Sequence, residues 1–555
     1  MRQTAQSPTH APAMHPSTLM MRGPLLAALF ATLLGAFVRL APVLASDFPL
    51  NDGGLFYVFT QEIQAAHYRL PVYSGFNQAP IPFLYPPLPF YLTGLASSLT
   101  RISLLDLIRV LPSLVSILTI PAAYLLARKL LKSQLAAAIA AISFALLPTA
   151  FDFMIVGGGL PRAFGFLFSI LTLHQATGLY STGRRVHLVA TAVFAGLTVL
   201  SHPVVAWFTF YSLAVLFLSL GANRRGLVNS LAVVAATLLL TAPWWAVGIA
   251  RHGLDPFLAA FQAGTRSWTA LVAPFLFLHT NEPYLTFHAL FALLGIFFSL
   301  RSRQYLIPAW LAAVFLLEPR LTATYAVLPT ALLVGIGFER VVLLGLAGAR
   351  DDPLRGAPPS VTDPSRDVAS GGVQDVPWAG GWVARLATAY ILCYLLIAAF
   401  LAAPRDALPP SHRQAMQWVR ANTPATSQFA VVSGIESAGT DYISEWFPAL
   451  TDRASMGTPQ GYEWFPGQVF NKRWSLHSDL QDCREQGVRC LEDWAARAQS
   501  PYTHVYLVKV PPFAGDDETP ADLYDSLLSS PDYEEIYDQE EVAIFAHLPF
   551  PPASP

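Results

Sequence analysis

The first residues of the chain that could do chemistry are two carboxylates, Asp47 and Asp52, which follow the first long apolar segment. Gly53 and Gly54 come directly after Asp52, and they let the backbone turn sharply because glycine has no Cβ. A carboxylate fixed beside such a turn at a membrane surface can act as a general base toward a hydroxyl or an amide. An ordinary polar loop, with Asp52 capping the next helix, explains the same residues.

Ionisable residues also stand at the ends of later apolar segments. Asp152 and Arg162 lie on either side of the turn Gly157–Gly159, where backbone amides and an arginine would suit a phosphate. The other candidates of this kind are Arg109, His202, Glu318 and Arg320. Ionisable groups at the same end of several membrane segments indicate a functional site. Arginines that reach the membrane interface, a plain tight turn, a structural histidine and an internal Glu–Arg pair are the alternatives.

A proline-rich aromatic stretch, Ala79–Tyr91, lies in the first predicted outer loop. Its prolines prevent a regular membrane helix, and its aromatic rings favour a position at headgroup depth. Tyr85, near the centre of the stretch, is therefore a candidate contact for a lipid-linked substrate. A covering loop that touches no substrate is the alternative.

The composition is that of a polytopic membrane protein. Of the 555 residues, 54% are hydrophobic and only 13% are charged, against about 25% charged in soluble domains. The net charge of −2 indicates no nucleic-acid partner. Three cysteines are too few for a disulfide framework or a zinc site, but Cys483 and Cys490 could pair if their region is extracytoplasmic.

Eleven apolar segments are long enough, or nearly so, to cross a bilayer. They are residues 23–45, 105–126, 134–151, 162–180, 187–200, 204–220, 226–249, 284–300, 305–317, 322–338 and 381–403. Val43-Leu44-Ala45 also resembles a signal-peptidase site, so a cleaved signal remains an alternative for the first segment.

Basic residues concentrate at alternate junctions between these segments, as expected for cytoplasmic loops. They are Arg128, Lys129 and Lys132, then Arg184 and Arg185, then Arg224 and Arg225, then Arg301 and Arg303, then Arg340 and Arg350. The pattern predicts a multi-pass protein of the plasma membrane with a cytoplasmic N-terminus and an extracytoplasmic C-terminus.

The predicted domains follow from the same patterns. Residues 1–22 form a disordered cytoplasmic tail, residues 23–340 a transmembrane domain with a first outer loop at 46–104, residues 341–380 a disordered cytoplasmic loop, residues 381–403 the last span, and residues 404–555 a small soluble α/β domain outside the membrane. Two stretches of this domain, Asp441–Arg453 and Gly461–Phe465, are dense in aromatic and acidic residues. They could contact a carbohydrate or form the aromatic core of the domain.

Three features together resemble the GT-C superfamily of polytopic glycosyltransferases, in the branch of protein O-mannosyltransferases and aminoarabinose transferases. They are Asp52 after the first span, the segment Tyr85-Pro86-Pro87-Leu88, and the stretch Leu107–Pro112 that opens the second span. The similarity covers roughly residues 25 to 340. It departs from the family pattern at Gly53, where many relatives have an acid, and at Tyr85, where some have a charged residue.

The resemblance implies an inverting transfer of a sugar from a polyprenyl-phosphate carrier to an acceptor on the outer face of the bilayer. By analogy Asp52 would be the general base, and Asp152 would assist the acceptor or a divalent cation. Because no second acid neighbours Asp152, the resemblance assigns no metal and no certain cofactor. Arg162, His202 and Arg320 would bind the carrier phosphate. Further candidates for substrate contacts are Asp47, Tyr85, Arg109 and Glu318.

Two other classes of function stay open on the sequence. A transporter or flippase of a lipid-linked substrate would need ionisable residues near the middle of its spans, where His174 and His288 are the main candidates. A non-catalytic envelope protein could use its C-terminal domain to bind glycan. The sequence contains no P-loop, dinucleotide-binding or zinc motif, so an enzyme that uses a soluble nucleotide is not supported.

Overall fold

The computed structural model describes residues 16–264, 286–318, 322–348, 382–510 and 522–548. Arg320, residues 1–15 of the predicted tail and residues 349–380 of the predicted loop lie outside this part of the chain. Two of the predicted domain boundaries move. Residues 16–22, assigned to the tail, belong to the first helix, Pro16–Ala45. Residues 341–348, assigned to the cytoplasmic loop, belong to the helix Thr322–Gly348 that precedes this loop.

The membrane part is built from helices and one small hairpin. In chain order it contains α1 (Pro16–Ala45), α2 (Gly54–Ala65), β1 (Tyr73–Ser74), β2 (Ile81–Pro82), α3 (Leu88–Thr100), α4 (Leu104–Leu130), α5 (Gln134–Leu146), α6 (Leu160–Thr182), α7 (Arg185–Val199), α8 (Pro203–Leu220), α9 (Arg224–His252), α10 (Asp255–Gln262), α11 (Phe287–Arg301), α12 (Leu306–Leu317), α13 (Thr322–Gly348) and α14 (Trp382–Ala402). Each predicted span contains one of these helices.

Six described helices are long and apolar enough to cross a membrane, namely α1, α4, α8, α9, α13 and α14. Helices α5, α7, α11 and α12 are apolar but have only 12 to 15 residues. The span predicted over 134–151 ends early, at Leu146, because Pro148 cannot donate a backbone hydrogen bond and begins a short 3-10 turn. Eleven crossings therefore remain a prediction.

A buried arginine joins three of the membrane helices. Arg39 of α1 donates to Ser116 on α4 over 3.0 Å and to the carbonyl of Ala145 on α5 over 2.8 Å. Its guanidinium also lies over the Phe151 ring, 4.7 Å from the centroid. A charge inside a helix bundle is costly unless such partners satisfy it, so Arg39 fixes how these three helices pack against one another.

The C-terminal region forms the predicted α/β domain. It contains α15 (Pro410–Asn422), β3 (Gln428–Val432), α16 (Tyr442–Thr451), β4 (Ala454–Ser455), α17 (Val469–Gln481), α18 (Val488–Ala498), β5 (His504–Val508), α19 (Asp522–Ser529), β6 (Tyr533–Asp538) and β7 (Val542–His547). The sheet order is β4-β3-β5-β7-β6, with β3 parallel to β4 and β5, and β7 antiparallel to β5 and β6. Cys483 and Cys490 form a disulfide.

The C-terminal domain shares a hydrophobic core with the first outer loop. Phe48, Phe59 and Ile81 of the loop are buried in one cluster with Trp446 and Trp464 of the domain. Burial of aromatic side chains on this scale is a large stabilising contribution. One end of the helix bundle and the C-terminal domain are therefore packed as one unit around the loop that carries Asp52.

Candidate active site

The loop Asp47–Gly54, here called the acidic loop, is held by backbone hydrogen bonds to two distant segments. The N–H of Gly157 donates to the carbonyl of Leu50 over 2.9 Å, and the N–H of Asn51 donates to the carbonyl of Asp406 over 2.6 Å. The loop therefore lies between the turn that precedes α6 and the segment that follows α14. Its conformation depends on residues that are far away in the sequence.

The Asp52 carboxylate is held by the turn Gly157–Gly159, here called the glycine turn. Its Oδ1 accepts the backbone N–H of Gly158 over 3.0 Å, and its carbonyl accepts the same N–H over 3.1 Å. A Cβ at Gly158 would lie 2.5 Å from Asp52 Cγ. Any larger residue at this position would therefore displace the Asp52 carboxylate. Burial raises the pKa of the Asp52 carboxyl, while the Arg162 charge and the Gly158 hydrogen bond oppose this shift.

Asp152 and Arg162 lie on the other side of the glycine turn. Arg162, in the first turn of α6, donates to the carbonyl of Phe153 over 3.1 Å and covers the Phe153 ring at 5.5 Å. Its Nε is buried without a hydrogen-bond partner. Asp152 Oδ1 accepts the N–H of Phe153 over 2.7 Å, and burial raises the pKa of this carboxyl to about 7. Arg162 thus keeps donor capacity for an anion beside two carboxyls.

Arg162 is the common charged neighbour of the predicted site residues. Its positive charge acts on the carboxyls of Asp52 and Asp152, on the Tyr85 hydroxyl and on the His202 imidazole. The structure therefore brings these five predicted residues together at one end of the helix bundle. Arg162 is the only permanently positive group among the five, as suits a site that receives one anionic group.

His202 also has a structural role, which the sequence left as an alternative. Its Nδ1 accepts the N–H of Val205 over 3.3 Å and so caps α8. Burial, and then the charge of Arg162, lower its pKa well below the ordinary value. The imidazole is therefore neutral, and because Nδ1 is an acceptor, Nε2 carries the proton. A neutral donor can still hydrogen-bond an anion.

Aromatic side chains form one wall of the site. Tyr85 lies 4.9 Å from Phe56, 6.2 Å from His202 and 6.4 Å from Trp464 between ring centroids. Trp464 belongs to the C-terminal domain, and its ring also contacts Phe257 of α10 at 6.1 Å. The proline-rich stretch is therefore packed between the membrane part and the C-terminal domain.

Two carboxyls of the C-terminal domain complete the site, and the sequence did not identify them as site residues. Glu445 of α16 contacts the acidic loop, and Glu463 lies beside Tyr85. Burial raises the pKa of Glu445 to about 8, with a further contribution from Asp52, and burial raises that of Glu463 to about 7. Both residues lie in the two stretches dense in acids and aromatics, and that density was the available signal.

Two predicted residues form ion pairs of their own. Asp47 is exposed and pairs with Arg413 at 2.6 Å, and Arg109 pairs with Asp106 at 3.1 Å. Their predicted contacts with substrate gain no support from this geometry. Glu318 is buried where α12 ends, and its charge acts on the Tyr325 hydroxyl together with that of Arg162. Arg320 lies outside the described residues.

The acids of the site do not form a recognisable metal centre. Within the described ranges, no group of three or more His, Cys, Asp or Glu side chains is arranged to hold a metal ion. Asp152 has Arg162 as its charged neighbour rather than another carboxylate.

Solved structures of known enzymes share this architecture. The oligosaccharyltransferase of Archaeoglobus fulgidus aligns with 89% of this chain and 70% of its own, at a TM-score of 0.56 and 16% identity. ArnT from Cupriavidus metallidurans aligns with 95% and 98% of the two chains, at 0.54 and 16%. Arabinofuranosyltransferase AftD from Mycobacteria aligns with 95% of this chain and 40% of its own, at 0.54 and 16%. The chain has the GT-C fold.

The GT-C architecture predicted from the sequence is thereby confirmed, and the chain is a multi-pass membrane protein. The alignment with ArnT includes nearly the whole of both chains, so it takes in the C-terminal domain as well as the helices. No protein-family model matches the sequence, and no curated protein sequence matches it. The GT-C assignment therefore depends on the tertiary structure.

Proposed function

We propose that this protein transfers a sugar from a polyprenyl-phosphate carrier to an acceptor on the outer face of the membrane. The observation that carries the proposal is the position of Asp52, which is held by the glycine turn beside Arg162. A base and an anion-binding group in one site are what this transfer requires. The sugar and the acceptor, whether lipid, glycan or protein, are not assigned.

The proposed reaction is a direct displacement. Asp52 accepts the proton of an acceptor hydroxyl as the hydroxyl oxygen forms its bond to the anomeric carbon. The bond between that carbon and the phosphate oxygen breaks, and the electron pair leaves with the carrier phosphate. Arg162 stabilises the negative charge that develops on the phosphate, and the Nε2–H of His202 donates a further hydrogen bond to it. Attack from the side opposite the phosphate inverts the anomeric centre.

Two further observations support the donor class and the side of the membrane. ArnT from Cupriavidus metallidurans has been solved with undecaprenyl phosphate, and the archaeal oligosaccharyltransferase with a dolichol phosphate. The Cys483–Cys490 disulfide of this chain is typical of an oxidising compartment outside the cytosol. We therefore place the C-terminal domain and Asp52 on the extracytoplasmic side, with the N-terminus in the cytoplasm.

The proposal is tested with purified protein in lipid nanodiscs and a panel of radiolabelled undecaprenyl-phosphate sugars. Turnover should release undecaprenyl phosphate and place the label on an acceptor from an envelope extract, or on water. Donor binding without release of the carrier phosphate would contradict the transferase proposal and favour a transporter or a non-catalytic glycan-assembly protein.

The pH dependence of transfer should follow Asp152. We propose that its carboxylate orients the acceptor hydroxyl, and burial holds the pKa of this carboxyl at about 7. The value of kcat/KM should therefore rise with pH and level off above about pH 7, and Asp152→Asn should remove that inflection and lower the plateau about tenfold. Asp452→Asn, which changes an exposed carboxylate, should keep the wild-type profile.

Asp152→Asn, which should lower activity, should raise the stability of the protein. Burial raises the pKa of the Asp152 carboxyl from 3.8 to about 7, so stability falls as the pH rises between these two values and levels off above about pH 7. The Tm of Asp152→Asn should therefore exceed that of the wild type by more at pH 8 than at pH 5. An equal difference at both pH values would contradict the assignment.

Replacing Arg162 should weaken donor use. Arg162→Gln removes the positive charge that the two site carboxyls share, so the carrier phosphate would meet only acids. We expect kcat/KM for the donor to fall about 30-fold, in the range for the loss of one charge-assisted contact. Arg420→Gln removes an exposed arginine that pairs with Asp452 and should change kcat/KM less than twofold. Equal effects of the two substitutions would exclude Arg162 from phosphate binding.

A further inference from the structure

The N-terminus of α2 is capped by a residue nearly four hundred positions away. The first N–H groups of a helix have no partner within the helix, and Gly53 at this N-cap has no side chain to supply one. Glu445 of α16 supplies it instead. Its Oε2 accepts the N–H of Gly53 over 3.0 Å, and its Oε1 accepts the N–H of Leu55 over 3.2 Å. Both bonds lie within three residues of Asp52.

The next residue of α16 holds the other side of the same turn. Trp446 donates its indole N–H to the carbonyl of Asn51 over 2.9 Å, and its ring packs edge-on against Phe48 at 4.8 Å. The backbones of α2 and α16 approach so closely that a Cβ at Gly54 would lie 2.7 Å from the Glu445 carbonyl oxygen. The backbone on both sides of Asp52 is therefore fixed by consecutive residues of the C-terminal domain.

A buried carboxyl group is a costly cap for a helix in this place. Glu445 is 3% exposed, and burial, together with the nearby Asp52 carboxylate, raises the pKa of its carboxyl to about 8. A serine or a threonine would satisfy a helix N-terminus without burying a second titratable group beside Asp52. The arrangement therefore costs stability, and costly buried groups beside a reactive carboxyl are typical of functional sites.

We propose that Glu445 is a positioning residue, which fixes the start of α2 so that the Asp52 carboxylate faces the glycine turn and Arg162. The extracytoplasmic domain is then part of the active site rather than an appendage. This inference rests on the proposed role of Asp52 as the general base. Glu445 acts through Asp52 and need not touch the substrate.

A double-mutant cycle tests the proposal with four proteins: the wild type, Asp52→Asn, Glu445→Gln and the double variant. Carrier-phosphate release is measured per donor-binding site, so that loss of folded protein does not count. We expect Glu445→Gln to lower kcat about 30-fold with donor KM within about twofold, since small misplacements of a reacting group cost up to a hundredfold. In the Asp52→Asn background the same change should have no further effect.

Amide hydrogen exchange gives a readout that does not need turnover. The amides of residues 53–55 should exchange faster in Glu445→Gln than in the wild type, because their acceptor is changed. Asp452→Asn, at the end of the same helix and on an exposed ion pair, is the matched control and should alter neither exchange nor kcat.

The outcomes are distinguishable. Unchanged exchange or wild-type kcat in Glu445→Gln overturns the positioning role, and so does an equal loss in both backgrounds, which a purely structural effect would give. Full activity of Asp52→Asn overturns the role of Asp52 as the base, and no turnover by the wild type overturns the proposed function. In either case faster exchange in Glu445→Gln would still show that the C-terminal domain fixes the acidic loop.

Discussion

Asp52→Asn should lower sugar transfer by about a thousandfold or more while the protein still inserts and folds. The amide oxygen can still accept the Gly158 N–H, so the turn is kept, but the side chain can no longer accept a proton from the acceptor. Loss of a general base typically costs about 10²–10⁴ in rate. The measurement is kcat for release of labelled undecaprenyl phosphate, together with binding of the donor, which should change little.

Asp47→Asn is the matched comparison, because it makes the same change five residues upstream. The structure places Asp47 in an exposed ion pair with Arg413, and such pairs contribute about 0–1 kcal/mol. Transfer by this variant should stay within about threefold of the wild type. If Asp47→Asn were inactive and Asp52→Asn active, the general base would be Asp47 and the assignment to Asp52 would be wrong.

Gly158→Ala should be the second most damaging substitution, although it adds only a methyl group. The new Cβ would lie 2.5 Å from Asp52 Cγ, so the carboxylate would have to turn away from the site. A displacement of about 1 Å at a reacting group can cost a hundredfold in rate. We expect kcat to fall about a hundredfold or more, and donor binding to change less than tenfold.

The methyl group itself should not unfold the protein. Gly158 does not have a positive φ, so alanine can adopt its backbone conformation. Gly75→Ala in the same outer region is the control, since its Cβ would meet no atom nearer than 3.7 Å. That variant should keep wild-type activity and Tm. Full activity of Gly158→Ala would show that the observed Asp52 position is not required for transfer.

Much of the fold was predictable because each membrane segment is visible in the sequence as a continuous apolar run. A bilayer requires about 20 apolar residues per crossing helix, and every predicted span contains a helix. The errors concern lengths. The span that ends at Leu146 was predicted to reach Phe151, since the apolar run continues through Pro148. A hydropathy scale takes no account of the backbone N–H that proline lacks, so it does not show where the helix ends.

The site was predictable in part, and for the same reason. Asp52, Asp152, Arg162 and His202 stand at the outer ends of segments, and alternation of the segments forces those ends to one side of the membrane. The alternation of segments predicts a surface rather than a pocket. It does not distinguish these residues from Arg109, which stands at the end of another segment but pairs with Asp106.

The sequence by itself determined that this is a polytopic membrane protein with an acid after its first apolar segment and an α/β region at its end. Composition and local periodicity are enough to show these properties, whereas the GT-C resemblance needed the tertiary structure to be confirmed. Only the tertiary structure decided three contacts of the site. The Gly158 N–H donates to Asp52, the Arg162 charge acts on the carboxyls of Asp52 and Asp152, and the Glu445 carboxyl accepts the N–H of Gly53. The contacts of Asp52 with Gly158 and of Gly53 with Glu445 join residues more than a hundred positions apart. No local pattern encodes them, because they depend on how packed helices and a separate domain meet.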